Sequence, residues 1–240
     1  MILTKTLFNG RKDEIEFYFE ILSDIIKPEA VTDRQKAEIK TKDNGRFIRI
    51  SKSNFLVMLY NLIESCVKSG FEEIYEVLKS ENISYVQASY ALRDIWSNHE
   101  ISKAHQSTAN RETYGKRVKN ILDHVISNAP VALSKKVIET MASGNLDARK
   151  IRELLEKHDI GFTETHNGGK PHMLTVKNKR NSLAHGEESF DEAARDLTIE
   201  DLEKIKNEVL VFIEDALSGI ETYYNDRLYL TPQATESNLD

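Results

Sequence analysis

Between Leu202 and Tyr223, the apolar residues Leu202, Ile205, Val209, Phe212, Ile213, Ala216, Ile220 and Tyr223 recur at intervals of three and four. A helix gathers such positions into one stripe, here about six turns long, and a stripe of that length has to be buried against other elements. Those elements are predicted to be helices as well. With 10 Gly and 4 Pro in 240 residues, the chain lacks the turn chemistry of a many-stranded protein, and its apolar spacing is helical almost throughout. The expected fold class is all-α, a helical bundle closed by a long C-terminal helix that Thr198 caps.

The same rhythm predicts a first helix over residues 11–26 (Ile15, Phe19, Leu22, Ile26), broken at Pro28. A polar stretch follows from Thr32 to Asn44, with a turn at Gly45. Arg46 to Ile50 alternates and admits a short strand. Residues 53–69 form the most hydrophobic segment and read as a central helix ending at Gly70, with further helices over 71–79 and 84–98. From Ser97 to Arg117, a run that holds His99 and His105, no apolar face is sustained, and a long loop or a loosely packed excursion is expected. A short amphipathic helix resumes over 116–127. Asn145-Leu146-Asp147 can cap a helix over 147–157, and His166 to Gly169 reads as an open loop. Pro171 suits the first turn of a helix that ends near His185, where Gly186 supplies the C-terminal cap. One domain over residues 1–230 is expected, with a core from about 53 to 228, a helical N-terminal extension and a disordered polar tail over 231–240.

Composition narrows the function classes. No run approaches the roughly 18 to 20 apolar residues that span a bilayer, and the N-terminus turns charged too soon for a secretory signal. The one cysteine, Cys66, cannot form an internal disulfide, which fits a reduced cytoplasm. A net charge of -6 and a pI near 5.7 argue against a surface coated with cations for indiscriminate nucleic-acid binding. Placement of the positive charge therefore matters more than its total. The stretch GFTETHNGGK is no phosphate loop, because Pro171 follows Lys170 where Ser or Thr is needed. Neither an H-E-x-x-H helix nor a cysteine–histidine zinc spacing occurs among the seven histidines.

One segment, Lys177-Asn178-Lys179-Arg180-Asn181-Ser182-Leu183-Ala184-His185-Gly186, combines a fixed cation, a titratable base and further positive charge. Arginine stays charged at any working pH and its planar fork matches a phosphate. Histidine, with an ordinary pKa of about 6.5, exchanges protons near neutrality. RNA cleavage without a metal needs these two capacities, one to move the 2'-OH and leaving-group protons and one to stabilise charge on phosphorus. Five residues along a regular helix set Arg180 and His185 some 140° apart, so one helix cannot aim both at one phosphate unless it ends or distorts between them. A second copy across a two-fold axis would supply what is missing.

RNSLAHG, followed by GEESF, resembles the signature of the HEPN superfamily, Arg then four to six residues then His. It is especially similar to the MAE-type HEPN-like nucleases, in which a related run precedes a long C-terminal helix. YNLIESCV (Tyr60 to Val67) and SGNLDARKIRELLEKH (Ser143 to His158) extend the likeness from about residue 53 to 228. The resemblance implies a dimerising α-helical bundle and metal-independent endoribonuclease activity, often in toxins or antiphage effectors restrained by a neighbouring antitoxin or defence partner. It assigns catalysis to Arg180 and His185, with Asn181 positioning, and calls for a polar or acidic residue from an earlier helix. Asn61 and Glu64 are the candidates, since they share a face of the 53–69 helix, and Glu64 in so apolar a run needs a partner such as Arg180. Lys177 and Lys179 would guide the RNA backbone. No metal or organic cofactor is implied. The rival reading is a non-catalytic HEPN module that uses the same groove for a nucleotide or RNA end; a third is a regulatory subunit that binds another protein through its helical face.

Overall fold

The computed structural model describes residues 1–27, 42–106, 111–142, 145–165 and 171–232. Among them stand eight helices and no strand: α1 (Ile2–Ile26), α2 (Lys42–Ser80), α3 (Tyr90–Gln106), α4 (Arg111–Ile126), α5 (Lys135–Met141), α6 (Ala148–Lys157), α7 (Pro171–His185) and α8 (Ile199–Asn225). The expected all-α bundle with a long final helix is what forms. The residues of the Pro28 break, most of the Thr32–Asn44 stretch, the His166 to Gly169 loop and the tail beyond Pro232 lie outside the described residues.

α2 organises the molecule. Its 39 residues run about 58 Å and pack against α1, α5, α7 and α8. Three expected features give way to it, the first being the turn at Gly45, which lies within the helix. The Arg46 to Ile50 strand is helical, because a lone five-residue strand would leave backbone groups unpaired that a helix satisfies internally. Nor does Gly70 end the helix: a Cβ there would stand 3.0 Å from Ile220 Cδ1, so its missing side chain lets α8 approach. The helices expected over 53–69 and 71–79 are therefore one.

α1 starts at Ile2 rather than near residue 11, because Met1, Phe8, Ile15 and Leu22 bury one residue in every seven along its inner face. Thr4 Oγ1 donates to Glu73 Oε1 of α2 at 2.5 Å. On α8, all eight residues of the apolar stripe are buried. Thr198 closes its N-terminus in a capping box: Asp201 N–H donates to Thr198 Oγ1 at 3.1 Å, and Thr198 N–H donates to Asp201 Oδ2 at 3.0 Å.

The Ser97–Arg117 segment is helical where a loop was expected: α3 continues to Gln106 and α4 begins at Arg111, with 107–110 outside the described residues. The amphipathic helix expected over 116–127 is the C-terminal part of α4, with Ile121 and Val125 packed against the core; only its first residues, Arg111 to Gly115, had no apolar signal. The two helices form a hairpin, with Arg117 Nη1 donating to the Lys103 carbonyl at 2.7 Å and the Trp96 and His124 rings 5.0 Å apart. α3 starts at Tyr90 instead of 84, because residues 84–88 turn to make isolated bridges from Ser84 to Pro130 and from Ala88 to Leu230. The short α5, unexpected from sequence, buries Val137 and Ile138. No described helix is long and apolar enough to cross a membrane.

α7 is held at both ends. His172 and Met173 N–H donate to Glu208 Oε1 of α8 at 3.0 and 3.2 Å, and Met173 and Val176 are buried. At the other end Gly186, at φ +72, closes a Schellman turn in which Glu187 N–H donates to the Ser182 carbonyl and Gly186 N–H to that of Leu183.

α6 is pinned at its C-terminal end by His158, which is fully buried against Phe71 and Tyr75 of α2. Its Nδ1–H donates to the Leu154 carbonyl at 2.7 Å, so the neutral ring's Nε2 accepts from the Tyr75 hydroxyl at 2.7 Å. Burial, against the help of the Leu154 carbonyl, pushes its pKa down to about 4. An unfolded histidine protonates near pH 6.5, so acid favours the unfolded chain first. Stability contributed by neutral His158 is complete above pH 6.5 and declines from there toward pH 4, by on the order of 3 kcal/mol. Urea melts across this window should show the decline, and His158→Gln should flatten it. Equal slopes in the two proteins would assign the acid sensitivity to other groups.

Candidate active site

Arg180 projects from the last turns of α7 onto α2. Its guanidinium carbon lies 4.5 Å from the ring centre of Tyr60, and Nη2 stands 3.6 Å from Glu64 Oε2. Nη1 donates to Asn181 Oδ1 at 3.1 Å. Tyr60 and Glu64, four apart on α2, share one helix face, so the ring and the carboxylate meet Arg180 together. Stacking on an aromatic ring is worth about 0.5–1 kcal/mol at an exposed site and more when desolvated. An ion pair at this spacing and exposure adds no more than about 1 kcal/mol. The ring is therefore the principal mount. Arg180 remains 28% exposed, which leaves its outer edge open to an anion.

A three-residue turn ahead of α6 braces this arrangement from the other side. Asn145 Oδ1 accepts from Asn181 Nδ2 at 3.0 Å, and Leu146 N–H donates to the Tyr60 hydroxyl at 3.4 Å. Asp147 accepts from Lys150 N–H at 2.9 Å as the α6 cap and from Lys177 Nζ at 2.8 Å. Burial alone would raise the Asp147 pKa, but its hydrogen bonds from Lys177 and Lys150 outweigh that and hold it below the usual carboxylate range. Burial pushes the Tyr60 hydroxyl up, so it stays protonated at neutral pH.

Of the residues singled out from sequence, Arg180, Asn181 and Glu64 come together. Asn61 is exposed on the same strip of α2 as Glu64 and lines a groove of about 480 Å³ with it, without bonding to Arg180. Lys177 is mostly buried in its pair with Asp147. Lys179, about one-third exposed, pairs with Glu188 at 2.8 Å. His185 is exposed at the end of α7 and makes no hydrogen bond or ion pair among the described residues. The helix stays regular through Arg180 and His185, so the 140° divergence expected from sequence holds within one chain.

Tyr60 and Asn145 carry structural parts of the site that sequence reasoning did not single out. Tyr60 sits one turn before Glu64, a spacing that could have flagged it. Asn145 offers no comparable signal, because its partner lies 36 positions away. Among the described residues, no three His, Cys, Asp or Glu side chains converge to hold a metal ion.

Comparison with curated proteins and with solved structures found no match. A family model, that of the MAE-type HEPN-like domain, matches residues 4–229. The match takes in α1, well ahead of the residue-53 start that the motifs suggested. With nearly the whole chain matched and the RNSLAHG run closing the helix that precedes the long final one, this protein belongs to the MAE-type HEPN-like family.

Proposed function

We propose that the protein is a metal-independent endoribonuclease acting as a homodimer. The observation that carries this reading is the mount of Arg180: a guanidinium stacked on a buried ring, oriented by Asn181 and Glu64, with its outer edge open. Membership of a family whose domains are commonly ribonucleases supports it further. In the reaction, a base removes the ribose 2'-OH proton and the 2'-oxygen attacks phosphorus. The 5'-oxygen leaves with a proton from an acid. The products are a 2',3'-cyclic phosphate and a 5'-hydroxyl, so no water is consumed in this step.

His185 serves as base or acid, and its exposure without a partner suits either role. Arg180 stabilises the charge that builds on the phosphorane. Because the two diverge around α7, we infer that His185 of one chain meets Arg180 of its partner across a two-fold axis. The half-buried Leu183 and exposed Ala184 at the end of α7, and Phe190, 39% exposed just beyond, supply apolar surface for that contact. Asn181 and Glu64 position Arg180, with Asn61 beside them on α2. Lys179 steers the RNA backbone, whereas the engaged Lys177 serves the site by holding the 145–147 turn. A toxin or antiphage effector, restrained by a neighbouring antitoxin or defence protein, is the physiological role this family membership favours.

Purified protein incubated with RNA in EDTA should leave 2',3'-cyclic phosphate ends, and neither Arg180→Ala nor His185→Ala should do so. Mixing the two inactive proteins should restore cleavage at hybrid sites if the groups come from different chains. Cleavage by all three proteins alike would sink the assignment, and cleavage by none would favour the non-catalytic binding module. The mount makes a separate claim about Tyr60. Tyr60→Leu should lower kcat/KM by about 2- to 30-fold, the range of a cation–π contact, and Tyr60→Phe, which keeps the ring, should lose less. Equal losses in the two would instead assign the effect to the hydroxyl and its bond from Leu146.

A further inference from the structure

Beside the Arg180 site, three helices converge on the open groove of about 480 Å³. α1 contributes Arg11, the polar strip of α2 contributes Asn61, Glu64, Lys68 and Glu72, and α5 contributes its first residue, Lys135. Three cations face two carboxylates, a local balance of +1 that becomes +2 with Arg180, on a chain whose net charge is -6. This is a positive enclave on an acidic protein.

The cations are not equally engaged. Lys68 Nζ donates to Glu64 Oε1 at 2.5 Å, and Lys135 Nζ lies 3.2 Å from Glu72 Oε1 without making a hydrogen bond. Arg11 has neither a hydrogen bond nor an ion pair among the described residues, and its Nε is buried with no partner. The half-buried Arg11 guanidinium has no carboxylate partner among the described residues, and its planar fork suits phosphate. Shape adds a second constraint. From Asn61 to Glu72 the groove follows α2 for about 16 Å, whereas stacked nucleotides in one strand advance about 3.4 Å each. It therefore has room for several phosphates in a row. Glu64 lies both in the groove and beside Arg180, so a strand in the groove leads to the candidate active site.

We propose that this groove is a phosphate track for single-stranded RNA, with Arg11 as its anchoring contact and Lys68 and Lys135 flanking it. This rests on the ribonuclease reading and extends it: the substrate is a strand held on one side of the cut, rather than an isolated dinucleotide. Arg11 acts here as a binding residue and takes no part in proton transfer.

The test is fluorescence anisotropy with a short labelled single-stranded RNA and the full chain carrying His185→Ala, so that the probe survives. Arg11→Gln and Lys135→Gln are added singly, with Lys157→Gln on the exposed face of α6 as the control. Each groove variant should raise Kd by about threefold to tenfold and reduce the slope of log K against log salt by about 0.7. The control should change neither. Arg11→Gln should not lower the melting temperature, since Arg11 has no internal bond to lose, and weaker binding in a protein that also melts lower would count against the track. Unchanged Kd and slope in both groove variants would overturn it, while cleavage in EDTA by the wild type would leave the ribonuclease reading standing. An RNA that binds none of the proteins would also overturn the track, and absence of cleavage would then remove that reading separately.

Discussion

The burial of α2 is the constraint on which the other features depend. Phe55, Leu59, Leu62, Ile63, Cys66, Val67, Phe71, Ile74 and Leu78 are all buried, so most of the circumference of this helix is committed to α1, α5, α7 and α8. Each large apolar side chain stabilises the folded state by about 1.5–3 kcal/mol when fully buried. The charged pairs along α2 are worth about 1 kcal/mol or less apiece. Packing thus sets the rotation of the helix, and the polar residues go where packing leaves them. What remains is one narrow strip through Asn61, Glu64, Ser65, Lys68 and Glu72. Both the Arg180 contact and the cationic groove fall on it for that reason.

Tyr60 joins the core to the site. Its ring is fully buried, yet one face receives Arg180 and its hydroxyl receives Leu146 N–H. The turn that makes the last contact also gives Asn145 to Asn181 and Asp147 to Lys177. Consecutive residues thereby lock α6, α2 and α7 together at the base of the site. At the far end of α6, His158 repeats the arrangement with a buried neutral ring against Tyr75. Arg180 is held from one side, and its outer edge remains partly open. A cation presented this way needs little reorganisation to meet developing charge, which is the condition for electrostatic catalysis.

Much of the fold was legible because one rule, burial of a periodic face, acts locally. The stripe from Leu202 to Tyr223, the caps at Asp147 and Thr198, and the bounds of α7 at Pro171 and Gly186 could be read within a few residues of chain. The misreadings have equally physical causes. Gly70 resembles a terminator, but its lack of a side chain serves contact with Ile220, 150 positions away. The Ser97–Arg117 run has no sustained apolar face because its described residues are exposed or half-buried, while the burial of α3 is carried by Leu92, Ile95 and Trp96 before it.

The sequence by itself determined that the chain is helical, where its long final helix runs, and that an arginine and a histidine lie five residues apart on the helix before it. These follow from period, capping and side-chain chemistry, which are properties of neighbours along the chain. Only the tertiary structure decided that Arg180 is seated on Tyr60, that Lys177 is taken up by Asp147, and that Arg11 and Lys135 join Lys68 in one groove. Those pairings span from 30 to more than 100 residues. They are fixed by how α1, α5, α6 and α7 dock on α2, and docking is set by the shape of the whole buried core rather than by any local run of residues.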